Sequence, residues 1–147
     1  MRRTILAAGL AAFLLPAVAL AAGTSMSPIV SSKLSGKTEV PKGDPNGTGI
    51  VFLHLNATKG SACWEFKGIK NIGTPQVAHI HKGARGVAGP VVVPLGGAYK
   101  AKGCAKAATK LIAAIEQHPN RYYVNIHNAK YPGGAIRGQL VAGMIAG

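Results

Sequence analysis

Acidic side chains are scarce in this 147-residue chain, which has four Asp and Glu residues against 17 Lys and Arg. Glycoside hydrolysis usually needs two carboxyl groups about 5–10 Å apart, and no two carboxylates here lie close together in the sequence. There is also no Gly-x-Ser-x-Gly motif to present a serine nucleophile, and no strand–glycine–helix motif for a nucleotide. The sequence therefore argues against these three kinds of enzyme site. The four acidic residues are Glu39, Asp44, Glu65 and Glu116.

Long hydrophobic runs are absent except near the N terminus, where residues 5–20 form an apolar stretch after two arginines. This stretch is short for a membrane span, is interrupted by a proline, and ends in an Ala-Leu-Ala cleavage signal. We therefore expect a signal peptide at 1–21 and a single domain at 22–147, with no membrane span after cleavage. The expected location is periplasmic or secreted, and a retained N-terminal anchor is the alternative.

Cysteine is rare as well, since Cys63 and Cys104 are the only two in the chain. Export would place both in an oxidising compartment, where a disulfide between them is the simplest interpretation. The alternative is a pair of separate buried thiols. A disulfide would leave no thiolate for metal binding or for nucleophilic catalysis.

The positive charge, a formal +13, is the largest imbalance in the composition. A charge of this size attracts anionic surfaces. The lysines are scattered, without a basic run or an interleaved platform of aromatic residues, so nucleic acid is not an expected partner. Loose adhesion to an anionic envelope polymer is the interpretation that this pattern favours.

Short apolar runs separated by 20 glycines and 9 prolines predict many brief strands joined by tight turns. Leu111, Ala114 and Ile115 recur at helical spacing before Pro119, which predicts one helix near residues 109–117 with its apolar face in the core. The predicted fold is all-β, an antiparallel Greek-key β-sandwich or barrel with one short covering helix. The predicted strands are 29–34, 49–55, 61–69, 76–81, 91–95, 122–127 and 135–141.

Two histidines spaced one residue apart, His79 and His81, lie in the predicted strand 76–81. Side chains alternate along a strand, so both imidazoles leave the same face, roughly 6–7 Å apart. His127 lies in the predicted strand 122–127, on the face opposite the apolar Val124 and Ile126. We therefore predict that the three histidines share an outward flank, where imidazoles could hold a metal ion such as copper. Polar residues that could fix the ring tautomers there are Tyr123, Asn125, Asn128 and Glu65.

A structural role is the alternative for this histidine pair. His79 and His81 would then donate hydrogen bonds to the glycine-rich segment 83–90 and pack it against the strand. Sequence alone leaves both interpretations open.

Five ordered sequence blocks resemble the CHRD domain, the family of the chordin-type repeats, which is widespread in exported bacterial proteins. The resemblance covers about residues 29–141 and implies a β-rich extracellular domain. One departure is Ala135, where the family often has an acidic residue that could pair with Arg137. The blocks are LSGKTEVP (34–41), AHIHKG (78–83), GPVVV (89–93), YYVNIHN (122–128) and YPGGAIRGQL (131–140).

The histidine pattern is also similar to the copper side of copper–zinc superoxide dismutases, which are Greek-key β-sandwiches. This likeness implies that His79, His81 and His127 are copper ligands and that Arg137 guides anions toward the metal. It is partial, because the chain has no long loop rich in His and Asp for a zinc site. We expect an exported CHRD-type module that binds copper or a similar ion. The alternatives are a copper-dependent enzyme similar to superoxide dismutase, and a non-catalytic envelope protein that binds an anionic polymer.

Overall fold

The computed structural model describes residues 29–146, so the predicted signal peptide at 1–21 lies outside the described residues. Within this range, no helix has the length and apolar composition that crossing a bilayer requires. One α-helix, α1, spans Thr109–Gln117, and two short 3₁₀ helices span Gly36–Thr38 and Pro119–Arg121. The strands are β1 (Ile29–Ser35), β2 (Thr48–Asn56), β3 (Ser61–Lys70), β4 (Pro75–Lys82), β5 (Val91–Pro94), β6 (Lys102–Lys106), β7 (Tyr122–Asn128), β8 (Ile136–Gln139) and β9 (Val141–Ala142).

The strands form one antiparallel sheet in the order β5-β4-β7-β8-β1-β2-β3-β6, with β9 also paired to β1. The end strands β5 and β6 lie side by side, so the sheet curls into a nearly closed barrel. Around this barrel β7, β4, β5 and β6 follow one another, which is the Greek-key order of three consecutive strands with a fourth beside the first. The predicted all-β fold with one short helix is confirmed.

The core of the barrel follows from the two-residue alternation of the strands. In β2, Val51, Leu53 and Leu55 are fully buried, while the residues between them face outward. Helix α1 packs against β2 and β3 and buries Ile112 and Ile115. The predicted position of this helix is confirmed.

Two parts of the sheet differ from the sequence-based expectation. Strand β6 was not predicted, because its sequence has a lysine at each end and three small residues between them, without an apolar pattern. The predicted strand 135–141 is divided into β8 and β9, because pairing with β7 ends at Gln139 and β9 pairs with β1 instead. Strand β6 lies against β3 with Cys104 opposite Cys63, and the two cysteines form the expected disulfide.

Candidate metal centre

Strands β4 and β7 bring the three predicted histidines together. They pair antiparallel with His79 opposite Asn125 and His81 opposite Tyr123, while His127 lies opposite Val77. Because side chains alternate, the apolar residues between these positions point into the core, and the imidazoles leave the outer face. His81 is buried and the other two histidines are half-buried. The prediction that the three share one flank of the sheet is confirmed.

The imidazoles are close enough to act on a single ion. The Nδ1 atom of His79 lies 3.1 Å from Nε2 of His127. Ring centroids are 4.9 Å apart for His79 and His127, 5.6 Å for His79 and His81, and 6.3 Å for His81 and His127. One ring nitrogen from each histidine lies within 4.8 Å of the others. The arrangement is therefore a three-nitrogen cluster.

Backbone carbonyls set the tautomers of two of these rings. Nδ1 of His81 lies 2.8 Å from the Gly89 carbonyl, and Nδ1 of His127 lies 2.9 Å from the Pro132 carbonyl. A carbonyl oxygen only accepts hydrogen bonds, so each Nδ1 carries the proton and donates it. In the neutral rings, Nε2 of both histidines then carries a lone pair, and that of His127 faces Nδ1 of His79 at 3.1 Å. Metal-ligating histidines are oriented in this way by their second nitrogen.

The Nε2 atom of His81 is buried and has no hydrogen-bond partner among the described residues. Buried polar atoms are nearly always paired, and an unpaired one needs an explanation. This nitrogen lies in a group of three histidines whose ring nitrogens could hold a metal ion. A free imidazole lone pair is the kind of donor that a transition-metal ion accepts.

Burial favours the neutral form of His79 and His81. Burial is the main cause that lowers the pKa of His79 to about 4, and the positive charges that His127 and His81 would carry contribute to that shift. Burial also lowers the pKa of His81, although the hydrogen bond to Gly89 opposes this shift. Only a neutral imidazole has a lone pair for a metal, so both rings are in their ligating form at neutral pH.

A stacked column of side chains supports His81 from the side. The ring of Tyr123 stacks on His81 with centroids 4.7 Å apart and an angle of 11° between planes. On Tyr123 lies the guanidinium of Arg137, with its central carbon 3.3 Å from the ring centroid. Tyr123 and Arg137 are each 2% exposed, so this column is held inside the protein.

The same side chains hold the glycine-rich segment 83–90 over the cluster. Arg137 donates 2.9 Å hydrogen bonds to the carbonyls of Ala84 and Val87. The Tyr123 hydroxyl accepts from the N–H of Gly89 at 3.1 Å and donates to its carbonyl at 3.3 Å. Gly89 is required here, because a Cβ at this position would overlap the Lys82 carbonyl.

The two interpretations of the histidine pair are therefore compatible. His81 does anchor segment 83–90 through Nδ1, as the structural alternative expected, while its Nε2 stays free for a ligand. The described contacts of His79 are with the other rings, not with this segment. Arg137 points its guanidinium at the segment's carbonyls, which makes it a positioning residue. Its anion-guiding role stays a prediction.

Of the four polar residues considered as neighbours, Tyr123 and Asn125 are at the cluster. The Oδ1 atom of Asn125 lies 3.0 Å from Nε2 of His127. An amide has both an acceptor and donors, so Asn125 can partner that nitrogen in either protonation state. Glu65 is elsewhere and pairs with Lys102, with their charged atoms 2.7 Å apart. Asn128 binds the backbone at Ile72 and Tyr131 instead.

Glu39 is a residue of this region that sequence analysis missed. It is 3% exposed, its Oε1 accepts from the Val40 N–H at 3.0 Å, and burial raises the pKa of its carboxyl. Arg137 and Asn125 lie near enough to oppose that rise. Among the described residues Arg137 forms no ion pair, but the charge of Glu39 is near enough to affect it. The only sequence signal was its place in the block LSGKTEVP (34–41).

Gly134 makes room for this buried carboxyl. Its φ of +136° is uncommon for residues with a side chain, and a Cβ there would overlap Glu39 Oε2. The turn after Tyr131 thus leaves space for the side chain of Glu39. The same turn positions the Pro132 carbonyl, which orients the ring of His127. The turn therefore positions both the Glu39 carboxyl and the imidazole of His127.

The fold and the site define a class: a Greek-key β-barrel with a three-histidine cluster on the outer face of two paired strands. The family model described as CHRD domain matches residues 30–140 of the chain. This chain belongs to the CHRD domain family. No curated protein and no solved structure matches it.

Proposed function

We propose that this chain is an exported binding module that holds a copper ion, or a similar transition-metal ion, through His79, His81 and His127. The observation that carries the proposal is the buried, unpartnered Nε2 of His81 beside two further imidazole nitrogens. The disulfide between Cys63 and Cys104 favours a non-reducing compartment, which agrees with export to the periplasm or the exterior.

The distances support coordination after a small adjustment. Two nitrogens bound at about 2.0 Å from one ion are at most ~4 Å apart, and about 3.3 Å apart in a tetrahedral site. The 3.1 Å between His79 Nδ1 and His127 Nε2 already fits. The widest separation is at most 4.8 Å. It must close by up to about 0.8 Å for two opposite ligands and by up to about 1.5 Å for a tetrahedral site, which side-chain rotations supply.

The ligand set favours copper over hard cations. Imidazole suits Cu, Zn, Ni and Fe, whereas Mg²⁺ and Ca²⁺ prefer oxygen ligands. No carboxylate or thiolate belongs to the cluster found within residues 29–146. Among divalent ions, Cu²⁺ is bound most tightly by a given nitrogen site, so it is the ion that three imidazoles alone hold best.

Metal titration tests the proposal. Purified protein is titrated with Cu(II), with Cu(I) under reducing conditions that spare the disulfide, and with Zn(II), each against a competing chelator. We expect one equivalent of copper to bind, and His79→Ala or His81→Ala to weaken binding by more than about 100-fold, since each removes a ligand. His79→Ala is the cleaner variant, because His79 does not anchor segment 83–90.

His54→Ala is the matched control, because His54 is exposed on β2 and outside the cluster. It should leave the copper affinity unchanged. Equal affinities for the parent, His79→Ala and His81→Ala proteins would contradict the proposal. So would a weakening by His54→Ala equal to that of the other two.

Copper redox chemistry and adhesion remain further candidates. Half-buried His79 and His127 leave one side of the cluster accessible to a small molecule, which is what an enzyme similar to superoxide dismutase would need. Superoxide consumption no faster with copper-loaded protein than with free copper would refute that activity.

Adhesion to an anionic polymer is supported by the +13 charge. Retention on a polyanion column that persists in high salt would contradict this electrostatic adhesion.

A further inference from the structure

The outer face of strands β1, β2 and β3 has an apolar floor. Ile50 and Phe52 of β2 alternate with the buried Val51 and Leu53, so their side chains point away from the core. Both are only half-buried, and Phe52 is the one aromatic residue on this outer face of β2. Two apolar side chains on the solvent side of one strand form a continuous strip.

Lysines flank this strip on both sides. In the register of the sheet, Lys33 of β1 lies beside Ile50, and Lys67 of β3 lies on the other side of Ile50. Lys67 also places its Nζ 5.4 Å from the centroid of Phe52. Lys70 is three residues further along β3, and a register shift places it opposite Thr48.

The charges of these lysines are mostly uncompensated. Lys67 has Glu65 at 3.6 Å, but within residues 29–146 neither Lys33 nor Lys70 has a carboxylate within 4.0 Å. Lysine side chains can lay their methylenes on an apolar surface while the ammonium stays in water. The strip therefore combines an apolar floor with a cationic rim.

The C-terminal segment after β9 forms a wall beside the floor. Ser31 Oγ donates to the Gly143 carbonyl at 2.7 Å and accepts from the Ile145 N–H at 3.1 Å, which fastens this segment across β1. Met144, between these two contacts, is 70% exposed. Floor, lysines and wall enclose an open groove of about 900 Å³.

We infer that this groove binds a single-chain anionic amphiphile, a molecule of the fatty-acid type with an acyl chain and a carboxylate head. The apolar floor removes the chain from water, and Lys33, Lys67 and Lys70 complement the charge of the head. The positive charge of the lysines favours an anionic ligand over a cationic one. The groove is concave and suits a small ligand, whereas a surface that adheres to a polymer would be flat. This site does not depend on the histidine cluster.

Chemical-shift mapping tests the inference. ¹⁵N-labelled protein is titrated with dodecanoate below its critical micelle concentration. Acetate serves as the head-group control, and dodecyltrimethylammonium as the control with the opposite charge. We expect saturable shifts at the groove with dodecanoate alone. Lys33→Glu/Lys70→Glu should weaken binding by about fivefold, equivalent to ~1 kcal/mol, and Phe52→Thr should weaken it by removing the floor.

Lys110→Glu/Lys130→Glu changes the net charge equally at exposed positions outside the groove and should bind dodecanoate as the parent does. Equal weakening by both double variants, or equal binding of the cationic amphiphile, would overturn the inference. Binding to phosphatidylglycerol vesicles without any binding of monomeric dodecanoate would also overturn it, in favour of a membrane surface.

Discussion

Arg137→Met is the most informative single substitution near the histidine cluster. The guanidinium makes two 2.9 Å hydrogen bonds to the carbonyls of segment 83–90 and covers the ring of Tyr123. Methionine has a similar length and fills the space between Tyr123 and the segment, but it removes both donors and the charge. The variant therefore separates the bonding role of Arg137 from its volume.

The cost can be worked out from these contacts. Hydrogen bonds from a charged donor contribute about 1.5–3 kcal/mol each, and the cation–π contact contributes about 1 kcal/mol. Ala84 and Val87 are exposed, so their carbonyls regain water and the lower values apply. We expect the free energy of unfolding to fall by about 3–4 kcal/mol. For a domain of this size that corresponds to a drop in Tm of roughly 10–15 °C.

Arg137→Met should lower the copper affinity as well as the stability, although Arg137 contacts no proposed ligand nitrogen. A loosened segment 83–90 no longer holds the Gly89 carbonyl against His81, and loss of such a supporting contact typically weakens metal binding about 10–100-fold. Urea denaturation measures the first effect and chelator competition the second. Arg137→Lys, which keeps the charge but not the fork of donors, should recover only part of either loss.

Arg85→Met is the control, because Arg85 lies in the same segment but is exposed. It should change stability by no more than about 0.5 kcal/mol. If Arg137→Met and Arg85→Met lowered stability and copper affinity equally, the positioning role would be refuted.

Two further predictions concern pH and the disulfide. Because the pKa of His79 is lowered to about 4 in the folded chain, the unfolded chain, with a histidine pKa of about 6.5, binds more protons between these values. The contribution of neutral His79 to the free energy of unfolding is fully present above pH ~6.5 and is lost as the pH falls toward about 4. Urea midpoints measured across this range should therefore decline in acid, less so for His79→Gln, and equal declines would contradict the assignment. Replacing Cys63 and Cys104 together by serine opens a link across a separation of 41 residues, which should cost about 4 kcal/mol in the chain-entropy model; an unchanged urea midpoint in the non-reduced protein would contradict this.

The shared face of the three histidines was predictable because it depends on strand parity. His79 and His81 differ by two positions, and His127 has the parity opposite to Val124 and Ile126, so alternation assigns all three to one face. What parity does not give is the pairing of β4 with β7, on which the proximity of His127 depends. The likeness to the copper side of copper–zinc superoxide dismutases supplied the expectation that the three histidines meet.

The contacts that tune the cluster were beyond sequence reasoning. The Gly89 and Pro132 carbonyls belong to loops. Every residue has a backbone carbonyl, so the sequence does not show which carbonyls accept hydrogen bonds from the histidines. Glu39 follows a 3₁₀ helix in a polar stretch, where a charged residue is normally exposed. Strand β6 was missed for a related reason. Lys102 and Lys106 interrupt any apolar pattern, and the position of this strand is determined by its pairing with β3.

The gap between β5 and β6 gives a structural role to some of the lysines of this basic chain. These end strands are adjacent but are not joined in the ladder of the described sheet, so each has backbone groups free to capture a strand of another molecule. Short strands, lysines and prolines at such edges discourage intermolecular β-pairing and aggregation. Strand β5 has four residues and ends in Pro94, and β6 carries exposed Lys102 and Lys106. Part of the basic character of this chain is thus placed where it discourages edge-to-edge pairing of the incompletely closed barrel.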